Sequence, residues 1–188
     1  EQVDVLHSKT ISTAAKITET KVLQWADKLT TDSKIVKKMY KEKLNVDFEF
    51  FYAPLDVKKF SKLKNIEKKE KQIIFIGRDS YEKGIDILKE IESKIDAKII
   101  YCTDMKWEDA MENLKASRLL VIPSRMESIP QVIKEAFYLK IPIIATNVGG
   151  IPELITDDKT GILIPPNDPK NLENAINKLL VDNETSKR

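Results

Sequence analysis

The sequence predicts an α/β domain built on a doubly wound, Rossmann-like parallel sheet with helices on both faces. From Ile73 onward, short and wholly apolar runs alternate with longer amphipathic ones. Strands that are buried on both faces have this pattern beside their crossover helices, and such sheets bind ligands outside the carboxyl ends of the strands. The predicted strands are Ile73 to Ile76, Lys98 to Tyr101, Leu119 to Ile122, Pro142 to Ala145 and Gly161 to Ile164, and the predicted helices are Gly84 to Lys94, Trp107 to Ala116, Pro130 to Leu139 and Asn171 to Leu180.

The first part of the chain has a different pattern, and we divide the sequence into residues 1–55 and 56–188. The stretch Lys58 to Lys71 after the boundary is rich in lysine and poor in apolar side chains, so we interpret it as a solvated linker. The elements predicted before it are a helix from Ile11 to Trp25, a short strand from Lys28 to Thr31, a helix from an N-cap at Asp32 or Ser33 to about Leu44, and a strand from Phe48 to Tyr52 that ends at Pro54.

Composition and charge argue against several classes of partner and site. Lys and Arg number 32 and Asp and Glu number 30, which leaves a formal charge of +2. Such an even balance gives no large positive field, so nucleic acid is not predicted as a partner. One cysteine and one histidine exclude an internal disulfide and make a Cys-based or His-based metal site implausible. No apolar run approaches the roughly 20 residues that span a bilayer, and a signal peptide is not recognisable, so we expect a cytoplasmic protein.

Two cations follow the first strand of the predicted sheet. The loop from Gly77 to Gly84 begins where the strand ends, and Arg78 and Lys83 stand in it with four residues between them. Arginine offers a planar fork and lysine a compact charge, a combination that suits a diphosphate neutralised without a metal. The two glycines let the backbone approach a ligand closely. The alternative is that both cations are ordinary surface charges.

A second loop, from Pro123 to Pro130, leads from a strand into a helix that we expect to begin at Pro130. The free amides of Ile129, Gln131 and Val132, together with the helix dipole, form a site for phosphate oxygens. Glu127 and Glu135 lie on either side of this helix start. Their carboxylates are suited to accept hydrogen bonds from hydroxyl groups of a sugar and of a ribose. The alternative is that both glutamates belong to a solvated helix face.

These loops, taken together, resemble those of the family 4 (group 1) retaining glycosyltransferases of the GT-B fold, in particular their C-terminal donor-binding domain. Further similar segments are Trp25 to Ser33, Tyr52 to Phe60, Thr146 to Glu153 and Gly161 to Asp168. The resemblance implies that residues 1–55 are the end of an N-terminal, acceptor-side domain together with the interdomain connection. It also implies that the rest of that domain, absent from this sequence, is the partner of this half in catalysis. Any peripheral membrane contact would lie in that absent domain.

The resemblance also implies roles for individual residues. Arg78 and Lys83 match the pair that holds the donor diphosphate in place of a divalent cation, so no metal cofactor is expected. Glu127 matches the glutamate that contacts the donor sugar, and Glu135 matches the one that holds the ribose. The implied catalytic residues are Arg78, Lys83 and Glu127, and the implied donor-binding residues are Gly77, Arg78, Lys83, Glu127, Ser128, Ile129, Pro130, Gln131 and Glu135. The expected donor is a UDP-, GDP- or ADP-sugar used in polysaccharide or glycoconjugate synthesis, and the fragment alone is expected to be inactive.

The sequence departs from the family pattern in one region. A single helix lies between the strands Lys98 to Tyr101 and Leu119 to Ile122, where the family has a helix, a strand and a second helix. The missing unit normally contributes to the base site, so Thr103, Asp104 and Met105 are the alternative base-binding candidates. This departure keeps open a second hypothesis, a non-catalytic nucleotide or phospholigand module of the same fold. A sugar-nucleotide epimerase is disfavoured because this half lacks the titratable acid and base groups.

The remaining conspicuous residues receive structural interpretations. We expect Trp25 and Trp107 to pack, and Cys102 to be a small apolar filler at a strand end. Gly149 and Gly150 either form a tight turn before Pro152 or line the sugar pocket. His7 is assigned no role.

Overall fold

A five-stranded parallel sheet forms the centre of the molecule. The computed structural model describes residues 21–23 and 25–181. The five strands lie in the order β4-β3-β5-β6-β7, and all neighbours are parallel. A smaller parallel pair, β1 with β2, precedes them. The strands are β1 (Thr30–Thr31), β2 (Glu49–Phe50), β3 (Lys69–Ile76), β4 (Lys98–Cys102), β5 (Ser117–Ile122), β6 (Ile143–Thr146) and β7 (Ile162–Ile164).

Helices connect the parallel strands and cover both faces of the sheet. One apolar cluster joins α2 and α6 to the face that carries Ile73 and Val121, and a second joins α3, α4 and α5 to the face that carries Ile74 and Leu120. The doubly wound fold predicted from the sequence is therefore confirmed. The α-helices are α1 (Lys34–Leu44), α2 (Ile85–Ile91), α3 (Trp107–Ala116), α4 (Gln131–Leu139), α5 (Ile151–Leu154) and α6 (Pro169–Val181), and short 3₁₀ helices occupy Val57–Lys62, Tyr81–Lys83 and Glu92–Lys94.

The strand order locates the binding crevice. From β3 the chain moves to β4 on one side and then returns to β5 on the other side of β3. This reversal is a topological switch point: the helices that follow β3 and β5 lie on opposite faces of the sheet. In such sheets ligands bind in the crevice outside the carboxyl ends of the strands at this point. The loops that leave these two strands are residues 77–84 and 123–130, the two that carry the predicted site residues.

The connection between β4 and β5 contains only α3, as the sequence predicted. Helix α3 ends at Ala116 and β5 begins at Ser117, so no residue separates them. Because β5 lies on the far side of β3, β4 is an edge strand of the five-stranded sheet.

The interpretation of Lys58 to Lys71 as a solvated linker is wrong. Its first part lies in the 3₁₀ helix Val57–Lys62, in which Phe60 is only 7% exposed and packs into the second cluster. Its last part is the start of β3, which begins at Lys69 and not at Ile73. The lysines remain in water while one aromatic ring between them reaches the core, because long cationic side chains extend their charges away from apolar surface.

Other sequence predictions need smaller corrections. Pro130 is the N-cap of α4 and the helix begins at Gln131. The four-residue helix α5 was not predicted. Trp25 is 82% exposed, so its expected packing role is wrong. Most of the predicted helix from Ile11 to Trp25 lies outside the described residues, although 21–23 are helical.

Candidate functional site

The loops after β3 and β5 are joined through their backbones. The amides of Arg125 and Met126 both donate to the carbonyl of Glu82, at 2.7 and 3.3 Å. Gly84 has φ +66°, and a Cβ at this position would overlap the carbonyl oxygen of Pro123. Only glycine fits such a left-handed position with a backbone this close. The two loops therefore form one continuous wall at the switch point.

Lys83 and Glu127 meet across this junction. The Lys83 ammonium donates to Glu127 Oε1 at 2.7 Å, and the Ser124 hydroxyl donates to the same oxygen at 2.8 Å. The Glu127 side chain is 9% exposed and that of Lys83 is 24% exposed. An ammonium group has three donors, so Lys83 keeps donors for a further acceptor. The pair places a fixed carboxylate beside a cation at the mouth of the crevice.

Arg78, the other predicted cation, is exposed. It lies directly after Gly77, whose amide donates to the carbonyl of Cys102 at 3.1 Å. The carbonyl of Arg78 accepts a hydrogen bond from the amide of Ser80 at 3.0 Å, but among residues 21–23 and 25–181 no hydrogen bond or ion pair of the Arg78 side chain is found. Only the backbone of the loop therefore fixes the position of Arg78, whereas the ammonium of Lys83 is held by Glu127.

Helix α4 begins directly after the loop that carries Glu127. No side chain caps the helix at Pro130. The first amides of any helix have no partner within it, so Gln131 and Val132 present N–H groups where the positive end of the helix dipole lies. Ile129 and Pro130 are buried, whereas Ser128 is half-buried and Gln131 exposed. The arrangement can accept an anion.

Glu135 lies one turn further along α4 and is half-buried. Its Oε1 accepts a hydrogen bond from the indole Nε1 of Trp107 at 2.7 Å. Trp107 is the first residue of α3, and Thr103, Asp104 and Met105 lie just before it at the carboxyl end of β4. Thr103 is half-buried and the other two are exposed. The candidate base residues and Glu135 thus share one side of the crevice.

Sequence reasoning missed the role of Arg125. Its guanidinium forms two hydrogen bonds with the Asp86 carboxylate, each 2.7 Å, and donates to the carbonyl of Tyr81 at 2.7 Å and to Asn167 Oδ1 at 2.6 Å. It also lies 3.9 Å from the centroid of the Tyr81 ring. Hydrogen bonding to Arg125 lowers the pKa of Asp86. Arg125 therefore joins the loops after β3, β5 and β7. The sequence did not predict this role, because it depends on which distant residues the long side chain contacts in the folded protein.

A third loop, after β6, packs against the loop of Glu127. Gly149 has φ +51°, and a Cβ there would overlap the carbonyl oxygen of Glu127. The Gly150 amide donates to the carbonyl of Ser128 at 2.8 Å. Gly149 and Gly150 lie in a turn in which the Ile151 amide donates to the carbonyl of Val148 at 3.1 Å. This turn packs directly against the backbone of the loop that carries Glu127.

Glu153, shortly after this turn, joins the start of α1 to the sheet domain. Its carboxylate accepts hydrogen bonds from the Ser33 hydroxyl at 2.8 Å, the Lys34 amide at 2.9 Å and the Ile35 amide at 3.0 Å. These donors form the start of α1, where the helix dipole favours a negative charge. The β1-α1-β2 unit is thereby attached to the loop that supports Glu127.

We expect Glu153→Gln to loosen this attachment. The substitution removes the charge and turns an NH₂ group toward amide donors, so the free energy of unfolding should fall by about 1–2 kcal/mol. Hydrogen exchange at the Lys34 and Ile35 amides should accelerate. Ser33→Ala should have a smaller effect in the same direction, and the exposed Glu90→Gln serves as the control. Unchanged exchange at both amides in Glu153→Gln would contradict the prediction.

Cys102 is a buried thiol at the end of β4, in agreement with its predicted role as an apolar filler. Burial raises its pKa from 9.0 to about 11. Because the thiolate is the reactive form, its fraction near neutral pH is about a hundredfold lower than for an ordinary thiol. We expect the folded protein to resist dithiobis(nitrobenzoate) at about pH 8, and the same protein in guanidinium chloride to react fully. Rapid reaction of the folded protein would show that the strand end opens.

The described residues contain no cluster of three or more His, Cys, Asp or Glu side chains placed to hold a metal ion. Within the same part of the chain, no helix combines the length and the apolar character that crossing a membrane requires.

Comparisons with known proteins extend these observations. Residues 56–182 match the family model described as Glycosyl transferases group 1. A sulfoquinovosyl transferase of Arabidopsis thaliana is 28% identical over 149 residues, which are 66% of this chain and 29% of that protein. A 2-deoxystreptamine N-acetyl-D-glucosaminyltransferase of Niallia circulans is 28% identical over 67% of this chain and 40% of its own length. The chain thus spans less than half of these relatives.

Solved structures share the fold. A sucrose-phosphate synthase of Thermosynechococcus elongatus superposes with a TM-score of 0.78 at 19% identity, over 96% of this chain and 56% of that one. Anabaena HepE, solved in complex with UDP, superposes with a TM-score of 0.74 at 16% identity, over 97% of this chain and 62% of that one. The match to the family model spans more than half of the sequence and confirms the resemblance read from the loops, so this protein belongs to the group 1 glycosyltransferases.

Proposed function

We propose that this chain binds a nucleoside diphosphate sugar and that the full-length protein transfers the sugar with retention of anomeric configuration. The observation that carries the proposal is the meeting of Lys83, Glu127 and the uncapped start of α4 at the switch point of the sheet. A cation and a set of amides suit a diphosphate, and a fixed carboxylate beside them suits the hydroxyl groups of a sugar.

Arg78 and Lys83 take the part that a metal ion plays in other transferases. Negative charge grows on the diphosphate as its bond to the sugar breaks, and cations positioned at that oxygen stabilise the transition state more than the bound donor. Lys83 can give one N–H to Glu127 and another to a phosphate oxygen. Arg78, which is exposed, is free to turn toward the diphosphate when the donor arrives. We therefore propose a reaction that needs no metal cofactor.

The acceptor site belongs, on this proposal, to a domain that precedes the sheet domain. The chain spans 29–40% of the curated relatives compared above, so it corresponds to less than half of such an enzyme. Residues 1–55 would be the end of that domain together with the interdomain connection. The 188-residue chain should then bind donor without transferring it, because one wall of the cleft is missing.

UDP is the first nucleotide to test. HepE, whose fold this chain shares, was solved with UDP and with UDP-glucose. Saturation-transfer NMR and calorimetry on the 188-residue chain, with EDTA present, should detect UDP-glucose, GDP-glucose or ADP-glucose. Lys83→Ala should weaken binding, whereas Lys98→Ala, at the amino end of β4, should not. Failure of all three donors to bind the unsubstituted chain would overturn the proposal.

The shortened β4-to-β5 connection favours one alternative, a non-catalytic nucleotide-binding module of the same fold. Such a module would bind a nucleoside diphosphate as well as the matching nucleotide sugar, and full-length protein would neither transfer nor hydrolyse the sugar. Donor hydrolysis by full-length protein therefore separates the two functions.

A further inference from the structure

The indole of Trp107 reaches the glutamate that we propose as the ribose ligand. We infer that Trp107 is a positioning residue that fixes Glu135 for the nucleotide ribose, and that the 3₁₀ helix Val57–Lys62 supports this indole. The inference rests on the proposed function, since it takes Glu135 as the ribose ligand of the donor, the role that the family resemblance implies for this residue. It adds a tryptophan and a segment that the sequence suggested was a linker.

The hydrogen bond from Trp107 occupies one of the two oxygens of the Glu135 carboxylate. Trp107 Nε1 donates to Oε1 at 2.7 Å, and an indole has no second donor. Among the described residues, no hydrogen bond to Oε2 is found. One oxygen is therefore held by the protein while the other is available, and a carboxylate fixed in this way is oriented before a diol arrives.

The indole is itself held in place. The ring of Phe60 meets it edge to face, with centroids 5.1 Å apart and planes at 82°. The Lys59 ammonium lies 5.8 Å from its centroid. Phe60 in turn packs against Tyr138 of α4, with ring centroids 4.5 Å apart. Because Glu135 is on the same helix as Tyr138, the 3₁₀ helix fixes both partners of the Trp107–Glu135 hydrogen bond.

The short connection after β4 makes this contact possible. Residues 103–106 join β4 to α3, so α3 starts close to the carboxyl edge of the sheet and presents its first residue, Trp107, to α4. The candidate base-binding residues Thr103, Asp104 and Met105 belong to this same connection. Trp107 therefore lies between the proposed base and ribose subsites.

The free protein provides the first test. The chain has two tryptophans, and Trp25 is 82% exposed. In a ¹H–¹⁵N spectrum, Glu135→Gln should move the indole N–H resonance of Trp107 upfield and leave that of Trp25 in place, because an amide is a weaker acceptor than a carboxylate. Trp107→Phe, which keeps the contact with Phe60, identifies the resonance. An unmoved Trp107 signal in Glu135→Gln would overturn the inference without any nucleotide.

Ribose discrimination provides the second test. We compare the affinities of UDP and 2′-deoxy-UDP, and the matching guanine and adenine pairs, for the unsubstituted chain, Trp107→Phe, Glu135→Gln, the double variant and the control Trp25→Phe. The unsubstituted chain and the control should prefer the ribonucleotide by about tenfold, and Trp107→Phe should lower this preference to about twofold. The double variant should be no worse than Glu135→Gln alone, since the two side chains act as one unit.

The outcomes separate the inference from the function. If UDP binds and Trp107→Phe keeps the full preference for ribose, the positioning role is overturned while the donor-binding proposal stands. If Glu135→Gln also keeps the full preference for ribose, Glu135 is not the ribose ligand. If no diphosphate binds the unsubstituted chain, both are overturned. Unfolding midpoints of all variants show whether a loss of preference comes from a loss of fold, and an equal loss of both nucleotides would indicate only a structural role.

Discussion

Replacing Arg78 or Lys83 by alanine in the full-length protein should lower kcat of the proposed sugar transfer by about two to three orders of magnitude. The expected loss is large because the leaving diphosphate gains charge in the transition state, and these two cations are the groups proposed to meet it. Donor affinity should fall less, by about tenfold or less, since the ground state carries less charge at the breaking bond. A larger effect on kcat than on affinity is therefore the expected result.

The two variants should differ from each other. Lys83 donates to Glu127 Oε1, so Lys83→Ala also leaves that carboxylate with the Ser124 hydroxyl as its remaining described partner at that oxygen. Arg78→Ala removes an exposed side chain and should leave the resting site unchanged. We therefore expect Lys83→Ala to lower the free energy of unfolding slightly and Arg78→Ala to leave it unaltered.

Transfer and donor hydrolysis by full-length protein measure kcat, and calorimetry measures donor affinity. Lys98→Ala is the matched control, because Lys98 is exposed at the opposite end of β4. Turnover that is unchanged in both Arg78→Ala and Lys83→Ala would rule out the proposed catalytic role. A loss of affinity as large as the loss of kcat would mean that the cations bind the donor without favouring its cleavage.

The strands of the sheet could be predicted because a strand that is buried on both faces is apolar at every position, and such a run is easily recognised in the sequence. Residues 119–122 and 143–145, for example, are apolar at every position, and the structure buries them all. Strand order does not follow from such runs alone. Loops after β3 and β5 could nevertheless be chosen as the site, since their cations, glutamates and glycines are unusual in position and number for ordinary connections.

The features that the sequence did not predict depend on contacts between residues that are far apart in the chain. Phe60 stands among lysines, and local composition cannot show that its ring lies against Trp107 of another helix. Arg125 was visible in the loop, but its guanidinium contacts Tyr81, Asp86 and Asn167, which lie 39 to 44 residues away. Glu153 lies 120 residues from Ser33. Two of these side chains are charged and the third, Phe60, stands in a lysine-rich segment, so the local sequence does not show which distant residues they contact.

The second large effect should come from the glycines that bring the three loops together. Gly84 and Gly149 have φ of +66° and +51°, and a Cβ on either would overlap a carbonyl oxygen, of Pro123 and of Glu127 respectively. Alanine at either position must move backbone that other loops hold in place. We expect each substitution to lower the free energy of unfolding by about 2–4 kcal/mol, from strain and overlap together.

Donor affinity should fall more in Gly149→Ala than in Gly84→Ala, because Gly149 packs against the backbone of Glu127. Gly77→Ala is the matched control: its Cβ would come no closer than 3.3 Å, to the edge of the Phe75 ring, and its backbone is not in the left-handed region. A loss below about 1 kcal/mol is expected there. Chemical unfolding of the three variants measures the free energies of unfolding, and donor titration of Gly84→Ala and Gly149→Ala measures the effect on donor affinity. If Gly84→Ala and Gly149→Ala were as stable as Gly77→Ala, the loops could not be packed as closely as the structure has them, and the convergence of Lys83 on Glu127 would lose its support.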